Sequence, residues 1–121
     1  MASCLIVDDS RVVRAVARRI LEELQLDVRE AENGRVALDR CNDGMPDLIL
    51  LDWNMPVMDG LTFLRTIRAE PLPRQPKIVL CSTQRDIAHI CEALDAGADE
   101  YIMKPFDQEI MYSKLVETGI L

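Results

Sequence analysis

The chain has 121 residues, of which 49% are hydrophobic and 29% charged, and its formal net charge is -7. This length suits one domain of ordinary size, so we expect a single domain over residues 1–121 that acts on other molecules by binding them. The acidic balance argues against nucleic acid and anionic membrane surfaces as partners, because both attract clustered Lys and Arg. Proteins or small cations are the partners that this charge favours.

The sequence carries no signal for export or for membrane insertion. No apolar run approaches the roughly 20 residues of a membrane span, and Met1–Val7 lacks the basic start and long apolar stretch of a signal peptide. We therefore expect a cytoplasmic protein. The cysteines stand at irregular, distant positions without a C-x-x-C motif, so we expect buried thiols rather than zinc ligands or disulfides. They are Cys4, Cys41, Cys81 and Cys91.

Short apolar runs alternate along the chain with about five segments of helical periodicity, and turn-forming residues separate them. Because four of the five runs are continuously apolar, we expect a parallel sheet with helices on both faces, which is a doubly wound α/β fold. In such sheets ligands bind beyond the carboxyl ends of the strands, where the strand order reverses. The expected strands are Cys4–Val7, Val28–Ala31, Leu48–Leu51, Ile78–Cys81 and Tyr101–Met103.

Polar side chains follow four of these strands. They are Asp8 and Asp9 after the first strand, Asp52 after the third, Ser82 and Thr83 after the fourth, and Lys104 after the fifth. If the four strands are near neighbours, three carboxylates meet in one pocket with hydroxyl and ammonium groups. Two carboxylates about 4 Å apart repel by roughly 4 kcal/mol at an effective dielectric constant near 20. The pocket therefore requires a cation, and a hard divalent ion such as Mg²⁺ with oxygen ligands fits it.

This combination of groups suits phosphoryl transfer. The reaction depends mainly on positioning and on neutralising charge on the equatorial phosphoryl oxygens, which a metal ion, an ammonium group and a hydroxyl group do together. Lys104 would supply the second positive charge. The nucleophile would be the carboxylate of Asp52.

Each of these residues also has an ordinary structural explanation. Asp8 and Asp9 could cap a helix that starts near Ser10, since Asp and Ser favour that position. Asp52 and Lys104 could be ordinary polar residues beside buried strands. Their joint occurrence at successive strand ends favours the functional interpretation.

Four segments together resemble response-regulator receiver domains. They are Val7–Ser10, Asp52–Gly60, Ala96–Ala98 and Lys104–Phe106. The likeness runs from Cys4 to about Val116, and Asp52–Gly60 is especially similar to chemotaxis members of the family. The resemblance implies a stand-alone receiver without an output domain, with a flavodoxin-like fold of five parallel strands in the order 2-1-3-4-5.

The resemblance also implies a role for each residue of the acidic pocket. Asp52 would be the phosphoacceptor, and Lys104 would contact the phosphate. Mg²⁺ would be bound directly by Asp9, Asp52 and the backbone carbonyl of Asn54. Asp8 would bind the same ion through water.

The fourth strand departs from the family pattern of Thr followed by a small residue, because this chain has Cys81-Ser82-Thr83-Gln84. Counting back from Ala96-Gly97 through the expected fourth helix favours Ser82 as the switch hydroxyl. Thr83 is held in reserve, since adjacent residues of an extended chain point to opposite sides. Tyr101 resembles the aromatic switch residue of the family, whose ring turns inward as the hydroxyl approaches the phosphoryl group. The alternative is a half-buried strand tyrosine.

The resemblance implies a sensor histidine kinase or a histidine phosphotransfer protein as phosphate donor. The output partner would be a flagellar motor switch in chemotaxis, or another protein, bound by the face around Tyr101. A role as phosphorelay intermediate or phosphate sink stays open, whereas an aspartyl phosphatase is less favoured because Asn54 offers no acid for a leaving group. We expect a monomer. We also expect His89, the only histidine, to be a surface helix residue without partners.

Overall fold

The structure, a computed structural model, describes residues 2–121. It contains five strands and five helices that alternate along the chain. The strands are β1 (Ser3–Val7), β2 (Asp27–Ala31), β3 (Leu48–Asp52), β4 (Lys77–Ser82) and β5 (Glu100–Met103). The helices are α1 (Arg11–Glu23), α2 (Gly34–Asp43), α3 (Gly60–Ala69), α4 (Ile87–Asp95) and α5 (Gln108–Thr118). All five expected strands are present, with bounds within one residue of the sequence prediction.

The strands form one parallel sheet in the order β2-β1-β3-β4-β5, which confirms the flavodoxin-like order. The chain passes from β1 outward to β2 and then returns past β1 to β3, so the strand order reverses between β1 and β3. In the pairing of these two strands Val7 lies opposite Leu51. The residues that follow them therefore leave the same edge of the sheet side by side, where doubly wound folds bind ligands.

Two apolar layers cover the sheet, one on each face. Alternate residues of a strand point to opposite faces, so that in β1 Leu5 and Val7 join one layer and Cys4 and Ile6 the other. Helices α2, α3 and α4 cover the first face, and α1 and α5 cover the second. Every residue of β3 is buried, as expected for a central parallel strand between two helical layers.

Each helix begins with a polar N-cap side chain that accepts a hydrogen bond from the backbone N–H three residues further on. The caps are Ser10, Asn33, Asp59, Asp86 and Asp107. Helix α1 is capped by Ser10, whose Oγ accepts from the N–H of Val13 at 3.2 Å. The alternative that Asp8 or Asp9 serves as this cap is therefore wrong, because Ser10 occupies the position.

The loop between β3 and α3 folds tightly against the end of β3. The N–H of Gly60 donates to the carbonyl oxygen of Trp53 at 2.9 Å. A Cβ atom at Gly60 would overlap the backbone carbonyl of Asp52, so a larger residue would push the loop away from the strand. Val57 in this loop has a φ of 70°, which costs a β-branched residue about 1–3 kcal/mol. The close approach at Gly60 fixes the end of β3, where Asp52 lies.

Three of the four cysteines are buried. The prediction of a buried thiol is confirmed for Cys4, Cys41 and Cys81, and it is wrong for Cys91, which is exposed on α4. Burial raises the pKa of the Cys4 thiol to about 12 and that of Cys41 to about 11, so both stay protonated at neutral pH.

Within residues 2–121, none of the helices combines the length and the apolar character needed to cross a bilayer.

Candidate functional site

Three carboxylates converge at the point where the strand order reverses. Asp8 directly follows β1, and Asp52 is the last residue of β3. Asp8 is 4% exposed and Asp52 6% exposed, whereas Asp9 is exposed to solvent. One carboxylate oxygen from each of the three residues lies within 4.8 Å of the other two. The structure thus brings together the acidic residues that the sequence placed at successive strand ends.

Hydrogen bonds hold both the side chain and the backbone of Asp8. Its Oδ1 accepts from the N–H of Ser10 at 2.9 Å, and its backbone carbonyl accepts from Nη1 of Arg14 at 2.6 Å. The Arg14 guanidinium also pairs with Glu30 of β2 at 3.0 Å. These contacts orient the Asp8 carboxylate toward the end of β3 and join it to the first turn of α1.

The ammonium group of Lys104 bridges the two buried carboxylates. Lys104 follows β5, and its backbone N–H donates to the carbonyl oxygen of Ser82 at the end of β4. Its Nζ donates to Asp8 Oδ2 and to Asp52 Oδ1, each at 2.8 Å. The side chain therefore reaches across the end of β4 to the ends of β1 and β3, and one positive charge faces two negative charges.

Burial and mutual repulsion determine how the groups of this pocket titrate. Desolvation raises the pKa of Asp52, the hydrogen bond from Lys104 opposes this rise, and repulsion by Asp8 adds to it. For Lys104, burial alone would lower the pKa, but the hydrogen bonds to Asp52 and Asp8 outweigh burial and raise it. Removal of Lys104 would leave two carboxylates without a cation, and loss of such a partner typically costs about 3–5 kcal/mol. Lys104 therefore offsets part of the negative charge that Asp8 and Asp52 place at this edge of the sheet.

The oxygen atoms left over in the pocket fit a hard divalent cation. Hydrogen bonds among residues 2–121 use both oxygens of Asp8 but only Oδ1 of Asp52. Both oxygens of Asp9, Oδ2 of Asp52 and the backbone carbonyl of Asn54 receive no hydrogen bond within that range. Carboxylate and carbonyl oxygens beside open solvent are the ligand set that Mg²⁺ prefers, with water filling the remaining positions. The cluster could therefore hold a metal ion.

The end of β4 separates the two candidate hydroxyl groups. Ser82 is 2% exposed, and its Oγ accepts from the N–H of Gln84 at 3.0 Å. Thr83 is exposed to solvent. The two side chains thus lie on opposite sides of the chain, with Ser82 directed into the protein.

Tyr101 reaches the same loop from β5. The residue is 5% exposed, and its hydroxyl donates to the carbonyl oxygen of Gln84 at 2.7 Å. The backbone of Gln84 is therefore bound on its N–H side by Ser82 and on its carbonyl side by Tyr101. Gln84 carries no sequence signal for this role, because only its backbone takes part.

His89 has partners that the sequence did not reveal. Its ring centroid lies 5.0 Å from that of Trp53, and its Nδ1 is 2.6 Å from Oδ1 of Asp86. The expectation that His89 has no partner is therefore wrong. The loops that follow β3 and β4 bring these rings together although the residues are far apart in the sequence.

Comparison with known proteins gives consistent matches over nearly the whole chain. A family model described as the response regulator receiver domain matches residues 4–116. The chain is 35% identical over 115 residues to the chemotaxis protein CheY of Bacillus subtilis (strain 168), with 94% of each chain covered. It is also 35% identical over 113 residues to the chemotaxis protein CheY1 of Helicobacter pylori strain J99, covering 92% of this chain and 91% of that protein. The solved structure of the chemotaxis response regulator CheY4 of Vibrio cholerae matches with a TM-score of 0.91 and 30% identity over 98% of both chains.

The raised pKa of Asp52 predicts a pH-dependent cost to stability. In the range between the unfolded and folded pKa values the folded chain binds more protons, so the free energy of unfolding falls as the pH rises through that range. Asp52→Asn removes this charge and keeps an oxygen that can accept from Lys104. We expect the variant to exceed the wild type in stability by about 1 kcal/mol at pH 7, and the difference to vanish toward pH 4.

Urea unfolding of metal-free protein between pH 4 and pH 8 measures this difference. Asp59→Asn is the matched control, because Asn also serves as an N-cap and residue 59 lies outside the pocket. A wild type more stable than Asp52→Asn at pH 7 would mean that the pairing with Lys104 outweighs the burial of Asp52.

Proposed function

Since the chain belongs to the response regulator receiver domain family, we propose that it is a signalling switch of a two-component system that accepts a phosphoryl group on Asp52. This proposal rests on the cluster of Asp8, Asp9 and Asp52, which lies where the strand order reverses. There the ammonium group of Lys104 contacts a buried carboxylate that still has one oxygen without a hydrogen bond among residues 2–121. The carboxylate of Asp52 is the nucleophile.

The donor is a phosphohistidine of a sensor kinase or of a histidine phosphotransfer protein. A carboxylate oxygen of Asp52 attacks phosphorus, the P–N bond breaks, and the leaving histidine nitrogen keeps the electron pair and takes up a proton. Lys104 faces the phosphoryl oxygens while it retains its contact with Asp8. Hydrolysis reverses the state, since water attacks phosphorus and the Asp52 carboxylate leaves. The chain thus acts only on its own phosphorylation and dephosphorylation.

Mg²⁺ would be held by Asp9, Asp52 and the backbone carbonyl of Asn54, with Asp8 bound through water. When bound, the ion offsets the charge that collects on the phosphoryl oxygens. The donor set supports this assignment, because the free oxygens of the pocket are of the hard type that Mg²⁺ selects. Lys104 alone leaves the three carboxylates with an excess of negative charge.

The output follows from a shift between two packings of the β4–α4 loop. Ser82 Oγ accepts from the N–H of Gln84, and its hydroxyl proton can donate to a phosphoryl oxygen on Asp52, which would draw the side chain away from Gln84. Tyr101 binds the carbonyl oxygen of Gln84, so a change at Ser82 alters the segment on which the buried position of the ring depends. Phosphorylation can change affinity at a distance only if it prefers one of these packings.

The docking face lies beside Tyr101, on α4, β5 and α5. It exposes apolar side chains that a partner can cover: Ile87 and Leu94 of α4 and Ile110 of α5. The curated relatives are chemotaxis proteins by name, which supports a role in chemotaxis with a flagellar motor component as the partner. An aspartyl phosphatase is less well supported, because Asn54 stands where that chemistry needs an acid.

Phosphorylation of Asp52 can be tested with acetyl phosphate and Mg²⁺. We expect a mass gain of one phosphoryl group in the intact protein, because the required groups all lie within this chain. Asp52→Asn should abolish the gain, and Asp59→Asn, a carboxylate change in the same loop, should keep it. A phosphoryl group mapped to Asp8 or Asp9, or one that persists in Asp52→Asn, would contradict the proposal.

The route from Asp52 to the docking face can be tested with Ser82→Ala and Tyr101→Ala. Both variants should still be phosphorylated, yet lose most of the gain in affinity for the partner, which for a coupling of about 1–3 kcal/mol is roughly 5- to 150-fold. Thr83→Ala is the control, because its side chain is exposed. Titration of a motor-switch peptide against free and phosphorylated forms measures the gain. If Thr83→Ala loses the gain and Ser82→Ala keeps it, the switch hydroxyl is Thr83.

A further inference from the structure

The only histidine of the chain contacts the only tryptophan. The two ring centroids lie 5.0 Å apart, and the ring planes are tilted by 56°. Trp53 directly follows Asp52, and His89 lies in the first turn of α4. An aromatic contact thus joins the residue beside the phosphoacceptor to a helix of the docking face.

Both ends of this contact are anchored. The N–H of Trp53 donates to the carbonyl oxygen of Cys81 at 3.0 Å, which fixes Trp53 to the end of β4. The N–H of His89 donates to Oδ1 of Asp86 at 3.1 Å, and its ring Nδ1 lies 2.6 Å from the same oxygen. The distance between the rings therefore depends on how the first turn of α4 sits relative to the end of β3.

Charged groups surround the contact between the two rings. The imidazole lies between the carboxylate of Asp86 and the indole of Trp53. The backbone and ring of His89 hold the pKa of Asp86 below its usual value. Further charged groups are Arg85 in the preceding loop, which contacts Met103, Glu92 one turn along α4, and Asp52 beside Trp53.

We propose that His89 is a positioning residue that ties the first turn of α4 to the phosphoacceptor loop through Trp53. Occupancy of Asp52 then acts on this helix of the docking face. The coupling to Asp52 rests on the proposed function, whereas the contact between the rings does not.

The contact can be tested in the resting protein by the fluorescence of Trp53 between pH 5 and pH 8. A protonated imidazole quenches a neighbouring indole, so we expect a reversible step that His89→Gln abolishes. Glu92→Gln, which removes a nearby charge and keeps the ring, should retain the step. With one tryptophan and one histidine in the chain, the assignment is unique. A wild type without the step, or a step that persists in His89→Gln, would overturn the contact.

The coupling can be tested by NMR of the His89 ring, recorded with and without Mg²⁺ and beryllium fluoride as the phosphoryl mimic. We expect the chemical shifts of the ring to differ between the two states, because occupancy of Asp52 moves Trp53 relative to the imidazole. Asp52→Asn should show no difference. Trp53→Leu should lose the difference, and Trp53→Phe, which keeps an aromatic face, should recover part of it.

An equal difference in wild type and Trp53→Leu would mean that the charge at Asp52 acts through space, and the positioning role would be wrong. If beryllium fluoride changes no signal in any form, both the proposed function and the coupling fail. The resting-state step of the wild type would then still report the contact between the rings. Loss of that step together with a normal response to the mimic would instead overturn the role of His89 alone.

Discussion

The bridge from the Lys104 ammonium group to Asp8 and Asp52 is the interaction on which the rest of the site depends. Pairing of β1 with β3 places two carboxylates side by side at a buried edge, where their repulsion would otherwise oppose the fold. Lys104 offsets part of that repulsion although it follows β5, two strands away from β3. Its backbone N–H donates a hydrogen bond to Ser82 at the end of β4, and this position lets the side chain reach both carboxylates. The charge left over on the acidic side supports the proposed binding of a divalent cation and of a phosphoryl group.

The same strand ends connect the site to its surroundings. Asp52 is followed by Trp53, whose ring contacts α4, and Ser82 is followed by a loop that Tyr101 binds from β5. Under the proposed function, a change in charge at Asp52 has two structural routes to the α4 and β5 surface, one through a hydroxyl group and one through an aromatic ring. The close approach at Gly60 fixes the end of β3 that carries Asp52.

The sequence was sufficient for the fold and for the acidic pocket. The bounds of β1, β3, β4 and β5 could be predicted within one residue because a charged or polar residue ends each of these apolar runs, as Asp8 does after β1 and Lys104 after β5. The order 2-1-3-4-5 came from the resemblance to receiver domains, since periodicity alone gives no order. The convergence of Asp8, Asp9 and Asp52 could be expected because all three follow the carboxyl ends of parallel strands.

Other features depend on the folded backbone and could not be predicted. Counting back from Ala96-Gly97 favoured Ser82 over Thr83, but the burial of the first and the exposure of the second depend on the direction of the chain at the end of β4. Gln84 takes part through its backbone, so its identity carries no signal. His89 seemed isolated in the sequence because its partner Trp53 lies in the loop after β3, and Cys91 is exposed because α4 buries only Ala93.

The most direct test of this account is the effect of Mg²⁺ on thermal unfolding of the wild type and of Asp9→Asn. At ten times its dissociation constant a ligand of the folded state contributes about 1.4 kcal/mol, which for a chain of this size raises the Tm by roughly 5 °C. Asp9→Asn should be slightly more stable without metal and should lose most of that rise, whereas Asp43→Asn, at the far end of α2, should keep it. An unchanged rise in Asp9→Asn, or no rise in the wild type, would contradict the account.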